Sequence, residues 1–270
     1  MEDRSDFQSM IIENMARVKK VIIVVGGKGG VGKSTISASL AYALAARDSK
    51  VGLIDADITG PNITRFFGLN AAKPEVFDDR IYPLEAYNVK LISMEPLLDY
   101  FSAPVAWRGP MVIKAIVNFL RDVVWGNLDY LIIDLPPGTG DGILTVMQVL
   151  PEITGAIVVT TPQDIALMDA AKSVELLNKM EVPLIGLIEN MSYHICRSCG
   201  TREEIFPRGN IDRFLKKYRL KLLGRLPIEA TVGKLSEEGI PFVTDNTSVA
   251  AEIFWKIVEE VEKYVPKSED

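Results

Sequence analysis

Three groups of residues carry types and spacings that could do chemistry. The first is the run GGKGGVGKST, where Gly27 to Ser34 meets the spacing G-x-x-x-x-G-K-[ST]. Gly27, Gly29, Gly30 and Gly32 let the backbone N–H groups around Val31 curl about an anion. Lys33 would reach the β- and γ-phosphates of a nucleotide, Ser34 would ligate Mg²⁺, and Thr35 continues into a helix whose N-terminus favours negative charge. The second group is acidic: Asp55 and Asp57 in LIDADITGPN, and Asp134 closing the apolar run YLIID, a Walker B pattern suited to holding Mg²⁺. Carboxylates at the end of a buried parallel strand lie where α/β folds bind ligands; the competing role for Asp55 or Asp57 is to cap the following turn. The third group is Cys196 and Cys199, spaced C-x-x-C in HICRSCG.

The elements that must position these groups alternate along the chain. Residues 21–25, VIIVV, are the β-branched run of a strand buried on both faces, and ISASLAYALAA after Thr35 is helical. Residues 50–54, 130–134, 155–160, 182–188 and 220–226 read as further strands, with helices over 111–124, 164–180, 210–218 and 249–265. Pro110 suits a first helical turn, and Arg108 before it could touch a partner or be an ordinary surface arginine. Residues 76–82 and 88–94 are expected to form a small hairpin turning at Asp78-Asp79, and residues 1–20 a lead-in helix. The turn LPPGTGD after Asp134 is stiff at its prolines and free at its glycines, as a sensor of the γ-phosphate would be. Asn190, at the tip of a strand, could hydrogen-bond adenine. The pattern predicts one domain over 1–270, an α/β fold with a doubly wound, mainly parallel sheet and helices on both faces.

Composition excludes several classes. A formal net charge of −6 without a basic cluster argues against a nucleic-acid partner. The apolar runs are strand-length, so no membrane span is expected, and MEDRSDFQSM is too polar for a signal peptide. Two cysteines in 270 residues are too few for a secreted disulfide framework. A cytoplasmic protein is expected.

The two thiols, in a loop over 192–208, could chelate a metal or cluster, form a redox disulfide, or do no chemistry. Zinc and iron–sulfur sites generally need four ligands, and this chain has two cysteines and one histidine, His194. A four-thiolate site would have to be shared between two chains.

The segments GGKGGVGKST, DADITGPN, WRGPM, WGNLDYLIIDLPPGTGD, TTPQDIAL, ENMSY and HICRSCG occur in the order seen in the Mrp/Nbp-type iron–sulfur carrier ATPases, which the chain resembles over about residues 19–262. These belong to the MinD/ParA superfamily of P-loop NTPases with a deviant Walker A motif. The resemblance implies that Lys28, otherwise a solvated loop lysine, reaches the partner's nucleotide across a homodimer. It implies that Asp57 orients the attacking water, that Asp55 helps hold Mg²⁺ through water, and that Pro227 and Glu229 complete the adenine pocket, although Glu229 could equally be a helix-start carboxylate. It further implies ATP hydrolysis, a 4Fe–4S cluster bridging two copies through Cys196 and Cys199, and transfer of that cluster to apo iron–sulfur proteins. The cysteine-rich N-terminal extension of the eukaryotic members and the small N-terminal domain of many bacterial ones do not occur in this sequence, so no second cluster is expected; Pro207-Arg208-Gly209 replaces a segment that is often glycine-rich. Alternatives are a MinD/ParA-like spatial switch, disfavoured by the acidic helix EIFWKIVEEVEKYV, a dimer clasped by zinc, and an electron-transfer protein.

Overall fold

The computed structural model describes residues 4–57, 60–70, 72–93, 109–196 and 198–265. In chain order the elements are α1 (Arg4–Met15), β1 (Val18–Gly26), α2 (Lys33–Ala45), β2 (Val51–Asp55), α3 (Ile63–Phe66), β3 (Glu75–Phe77), β4 (Arg80–Tyr82), β5 (Leu84–Ala86), β6 (Val89–Ser93), α4 (Gly109–Asp122) and β7 (Leu128–Asp134). They continue as α5 (Asp141–Val149), β8 (Gly155–Thr160), α6 (Asp164–Lys179), β9 (Leu184–Glu189), β10 (His194–Ile195), β11 (Arg202–Glu203), α7 (Ile211–Tyr218), β12 (Leu222–Arg225), α8 (Ala230–Glu237) and α9 (Val249–Tyr264).

An eight-stranded sheet runs in the order β12-β9-β8-β1-β7-β2-β6-β5. Every pairing is parallel except that of β5 with β6. The period-2 geometry of β1 explains why its apolar run is unbroken. Val21, Ile23 and Val25 enter a core built with α1, α4, α5, α6 and α7. Ile22 and Val24 enter a second core built with α2, α3 and α9. The expected doubly wound α/β fold is therefore present, with β1 at the centre and its C-terminal end beside those of β7 and β8.

Two expectations need correction. The lead-in helix stops at Met15 because Val18 to Lys20 already belong to β1. Ile11 and Met15 are buried while Met10 is exposed. Asn14 donates to the carbonyls of Leu120 and Val123, at 2.8 and 2.9 Å, and so closes the end of α4. The single hairpin over 76–94 is two hairpins. Asp78 and Asp79 turn β3 into β4 and Tyr87-Asn88 turn β5 into β6, all four with φ between 49° and 61°, the left-handed conformation that tight two-residue turns require. β6 then joins the main sheet beside β2.

No helix among the described residues is long and apolar enough to cross a membrane. The apolar side of α9 (Phe254, Ile257, Val258 and Val261) is buried in the second core.

Candidate functional site

The glycine loop follows from two facts about its backbone. Gly30 and Gly32 have φ of +80° and +86°, a region costly for residues with a Cβ. The other fact is close approach. A Cβ on Gly27 would lie 2.1 Å from the backbone carbon of Asp169 in α6, and one on Gly32 would lie 2.2 Å from Asn190 Nδ2. Gly29 and Gly30, by contrast, face open space. α2 begins at Lys33 with Gly32 as a cap that supplies no side-chain bond, so its first amides stay available to an anion.

Under the loop sits a buried polar cluster centred on Asp134, whose carboxylate is 0% exposed. Ser34 donates its hydroxyl to Oδ2 at 2.7 Å and Ser37 donates to Oδ1 at 2.8 Å. Lys33 Nζ lies 2.9 Å from Oδ1 but is not aligned for a hydrogen bond, so its proton donors remain unused in a nearly closed setting. An ammonium with unspent donors beside a row of open amides fits a phosphate chain. A hydroxyl and a carboxylate side by side are the hard oxygen donors that Mg²⁺ prefers.

Asp55 stands opposite Asp134 on the next strand. Burial first, and the Asp134 carboxylate second, push it up to about 7. Its oxygens accept from the backbone amides of Asp57, Asn62 and Ile63 and from the Ser93 hydroxyl, at 3.0 to 3.2 Å. Asp55 thus holds the segment that carries Asp57, which is half-buried just beyond the strand. After Asp134, the Gly138 amide donates to the Gly26 carbonyl at 3.1 Å, tying the candidate sensor turn to the start of the glycine loop.

The structure gives two expected adenine contacts different occupations. Asn190 Nδ2 donates to the Val31 carbonyl at 2.9 Å, holding the glycine loop itself. The Glu229 side chain is engaged as well. Its carboxylate accepts from the Ser248 hydroxyl at 2.7 Å and the Ala250 amide at 2.9 Å, at the N-terminus of α9, which leaves its backbone and that of buried Pro227 for a base. Arg108 lies outside the described residues.

Cys196 and Cys199 occupy the turn between β10 and β11, where His194 pairs with Glu203 and Ile195 with Arg202. The Cys196 amide donates to the Thr201 carbonyl and the Gly200 amide to the Cys196 carbonyl, at 2.9 and 2.8 Å. Cys196 is half-buried, Cys199 is exposed, and the two thiols are not joined. The Cys199 thiol lies 3.2 Å from the Thr201 hydroxyl. Hydrogen bonds from Thr201, side chain before backbone, and then from Cys196 hold Cys199 below the ordinary thiol range. Among the described residues no cluster of three or more His, Cys, Asp or Glu side chains is placed to hold a metal ion, so the thiols stand as a pair.

Sequence reasoning missed Ser37 and Ser93. Ser37 was findable, since it lies three residues after Ser34 and four after Lys33 on one helix, hence on the same face. Ser93 needs the pairing of β6 with β2, which no local spacing reveals.

A family model described as ParA, NUBPL iron-transfer P-loop NTPase, matches residues 17–262. The chain is 45% identical over 261 residues to the iron–sulfur cluster carrier protein of Methanocaldococcus jannaschii, covering 96% of this chain and 90% of that one. It is 42% identical over 253 residues to the iron–sulfur cluster carrier protein of Escherichia coli, covering 88% and 68%. Among solved structures it is similar to a nucleotide-binding protein from Archaeoglobus fulgidus in complex with ADP, at 36% identity and a TM-score of 0.77, covering 88% and 93%. It is also similar to the cell-division ATPase MinD from Pyrococcus furiosus, at 26% identity and a TM-score of 0.65, covering 91% and 99%.

Proposed function

The chain belongs to the ParA/NUBPL iron-transfer family of P-loop NTPases, and from that premise we propose that it is an ATP-hydrolysing, cytoplasmic homodimer that carries a 4Fe–4S cluster between two copies and hands it to apo-proteins. One observation carries the reading: each chain offers a bare pair of thiols at the tip of a hairpin, half of the four-thiolate set that such a cluster takes, on a fold built around a phosphate loop. The relatives named as iron–sulfur cluster carriers support the same reading.

In this proposal Lys33 turns from Asp134 to the phosphates, and the loop amides from Gly29 to Thr35 bind them. Ser34 and Asp134 would hold Mg²⁺, with Asp55 helping through water while shaping the adjoining turn; bound there, the ion would supply charge neutralisation to the phosphates. Asp57 orients the attacking water. Lys28 is half-buried, makes no ion pair among the described residues, and completes the partner's site. Replacing Asp57 by Ala should lower turnover by about 10²-fold or more while ATP affinity changes little; loss of both together would remove that role from Asp57.

The deciding experiment is anaerobic reconstitution followed by iron, sulfide and zinc analysis, with the assembly mass measured on the same sample. About two irons and two sulfides per chain in a dimer is the expected result. Zinc at about half an equivalent without sulfide would replace the carrier reading with a structural clasp.

A further inference from the structure

Glu189 closes β9, is 0% exposed, and takes no part in the chemistry above. The Ser192 hydroxyl donates to its Oε1 at 2.5 Å and Arg225 Nε donates to its Oε2 at 3.1 Å. The Arg208 guanidinium approaches the same Oε2 at 4.0 Å, from the segment that returns from the thiol hairpin. The next residue along the strand is Asn190, whose side chain holds the Val31 carbonyl of the phosphate loop. Two adjacent residues of one strand tip therefore grip the phosphate loop on one side and the base of the thiol hairpin on the other.

The hairpin is also rooted beside that tip, on the segment after β12 and on the one before α6. On the outgoing side, the Ser192 amide donates to the Leu226 carbonyl at 2.8 Å, the Ile228 amide donates to the Tyr193 carbonyl, and Arg202 stacks over the Tyr193 ring at 3.6 Å. On the returning side, the Gly209 amide donates to the Pro162 carbonyl at 2.7 Å. A buried carboxylate is costly to leave without hydrogen-bond or ion partners. The shortest contacts to Glu189 come from its own strand end and from β12. The 4.0 Å contact with Arg208 is the longest, and Arg208 also donates to Glu204 of its own segment at 3.2 Å, which makes its contact with Glu189 the one free to open and close.

Resting on the proposed function, we propose that Glu189 and Arg208 are positioning residues for the thiol pair, and that the Glu189-Asn190 tip makes this positioning depend on nucleotide in the phosphate loop. A shift of the Val31 carbonyl moves Asn190, the tip moves with it, and the Arg208 contact changes length. The thiols are thereby presented differently in the two nucleotide states, without any direct contact between nucleotide and cysteine.

The test reads the metal-free thiols of the full chain, so it does not depend on a cluster being bound. The alkylation rate of Cys199 by iodoacetamide is measured with no nucleotide, with saturating MgADP and with a saturating non-hydrolysable ATP analogue. The wild-type rate should change about threefold or more between states, the size of effect that residues on a coupling route produce. In Arg208→Ala the rates should become equal, and Arg208→Lys, which keeps the charge, should restore part of the response. A nucleotide response in Arg208→Ala equal to that of the wild type overturns the proposal, and so does a wild-type protein whose thiols ignore nucleotide. Absence of iron and sulfide after reconstitution, with the alkylation response intact, would instead remove the carrier reading and leave the coupling standing.

Discussion

The phosphate-loop end and the thiol hairpin are built on opposite physical terms. At the loop, charge is buried and crowded: Lys33, Asp134 and Asp55 lie within a few ångströms, and two serine hydroxyls hold Asp134. At the hairpin, two strands of two residues each present an exposed thiol beside a threonine. A site that must sense one phosphate needs every group fixed before the ligand arrives, because preorganised dipoles are worth most in a dry setting. A site that gives up what it holds needs access for another protein. The difference teaches that rigidity here is spent on the nucleotide, and openness on the thiols.

A matched pair of substitutions is the strongest way to break that comparison. Gly27→Ala should cost upward of about 3 kcal/mol, because its Cβ would fall 2.1 Å from α6 backbone that cannot yield. Gly200→Ala in the hairpin meets nothing within 4 Å and has only its φ of +72° to oppose it, a cost of about 1 kcal/mol. Denaturant midpoints for the two variants measure both, and equal losses would mean that the hairpin is as tightly packed as the loop.

Ser37→Ala sharpens the comparison at the loop. When Lys33 and Ser34 turn toward ligand, Ser37 is the hydroxyl left to hold Asp134. Its removal should cost about 1–3 kcal/mol of stability, the range for leaving a buried acceptor short of a partner. It should also shrink the gain in ADP affinity that Mg²⁺ brings, with Mg²⁺-free ADP binding nearly unchanged; titrations with and without the ion give that ratio.

The smallest effect is at the hairpin. Thr201→Val removes the first of the hydrogen bonds that hold Cys199 below the usual thiol range, so the midpoint of its alkylation–pH profile should move up. At a given pH the variant should hold less thiolate than the wild type and so react more slowly. Stability should hardly change, since the thiol is exposed. An unmoved midpoint would show that the Thr201 hydroxyl has no hold on Cys199.

Much of this contrast was legible in the chain itself. The phosphate loop, the strand-end aspartates and the alternation of elements are local patterns of spacing, and local spacing decides them. Gly27 to Thr35 and Asp134 fell where their motif required. What escaped depends on partners distant in sequence. Nothing near Glu229 announces that its carboxylate will cap α9, twenty residues on. Nothing near Asp55 announces the Ser93 hydroxyl from β6, and nothing near Glu189 announces Arg208 and Arg225. The hairpin pair β3–β4 and β5–β6 was misread as one because the turn at Tyr87-Asn88 lacks the glycine that usually marks such a turn.

Among the described residues the sheet ends on one side at β5, three residues long and antiparallel, and on the other at β12, four residues long and out of even register with β9. A sheet edge grows by lending its free amides and carbonyls to an incoming strand, and edges this short or uneven lend few. Copies of this chain therefore have little to gain by zipping edge to edge into longer ribbons or fibres.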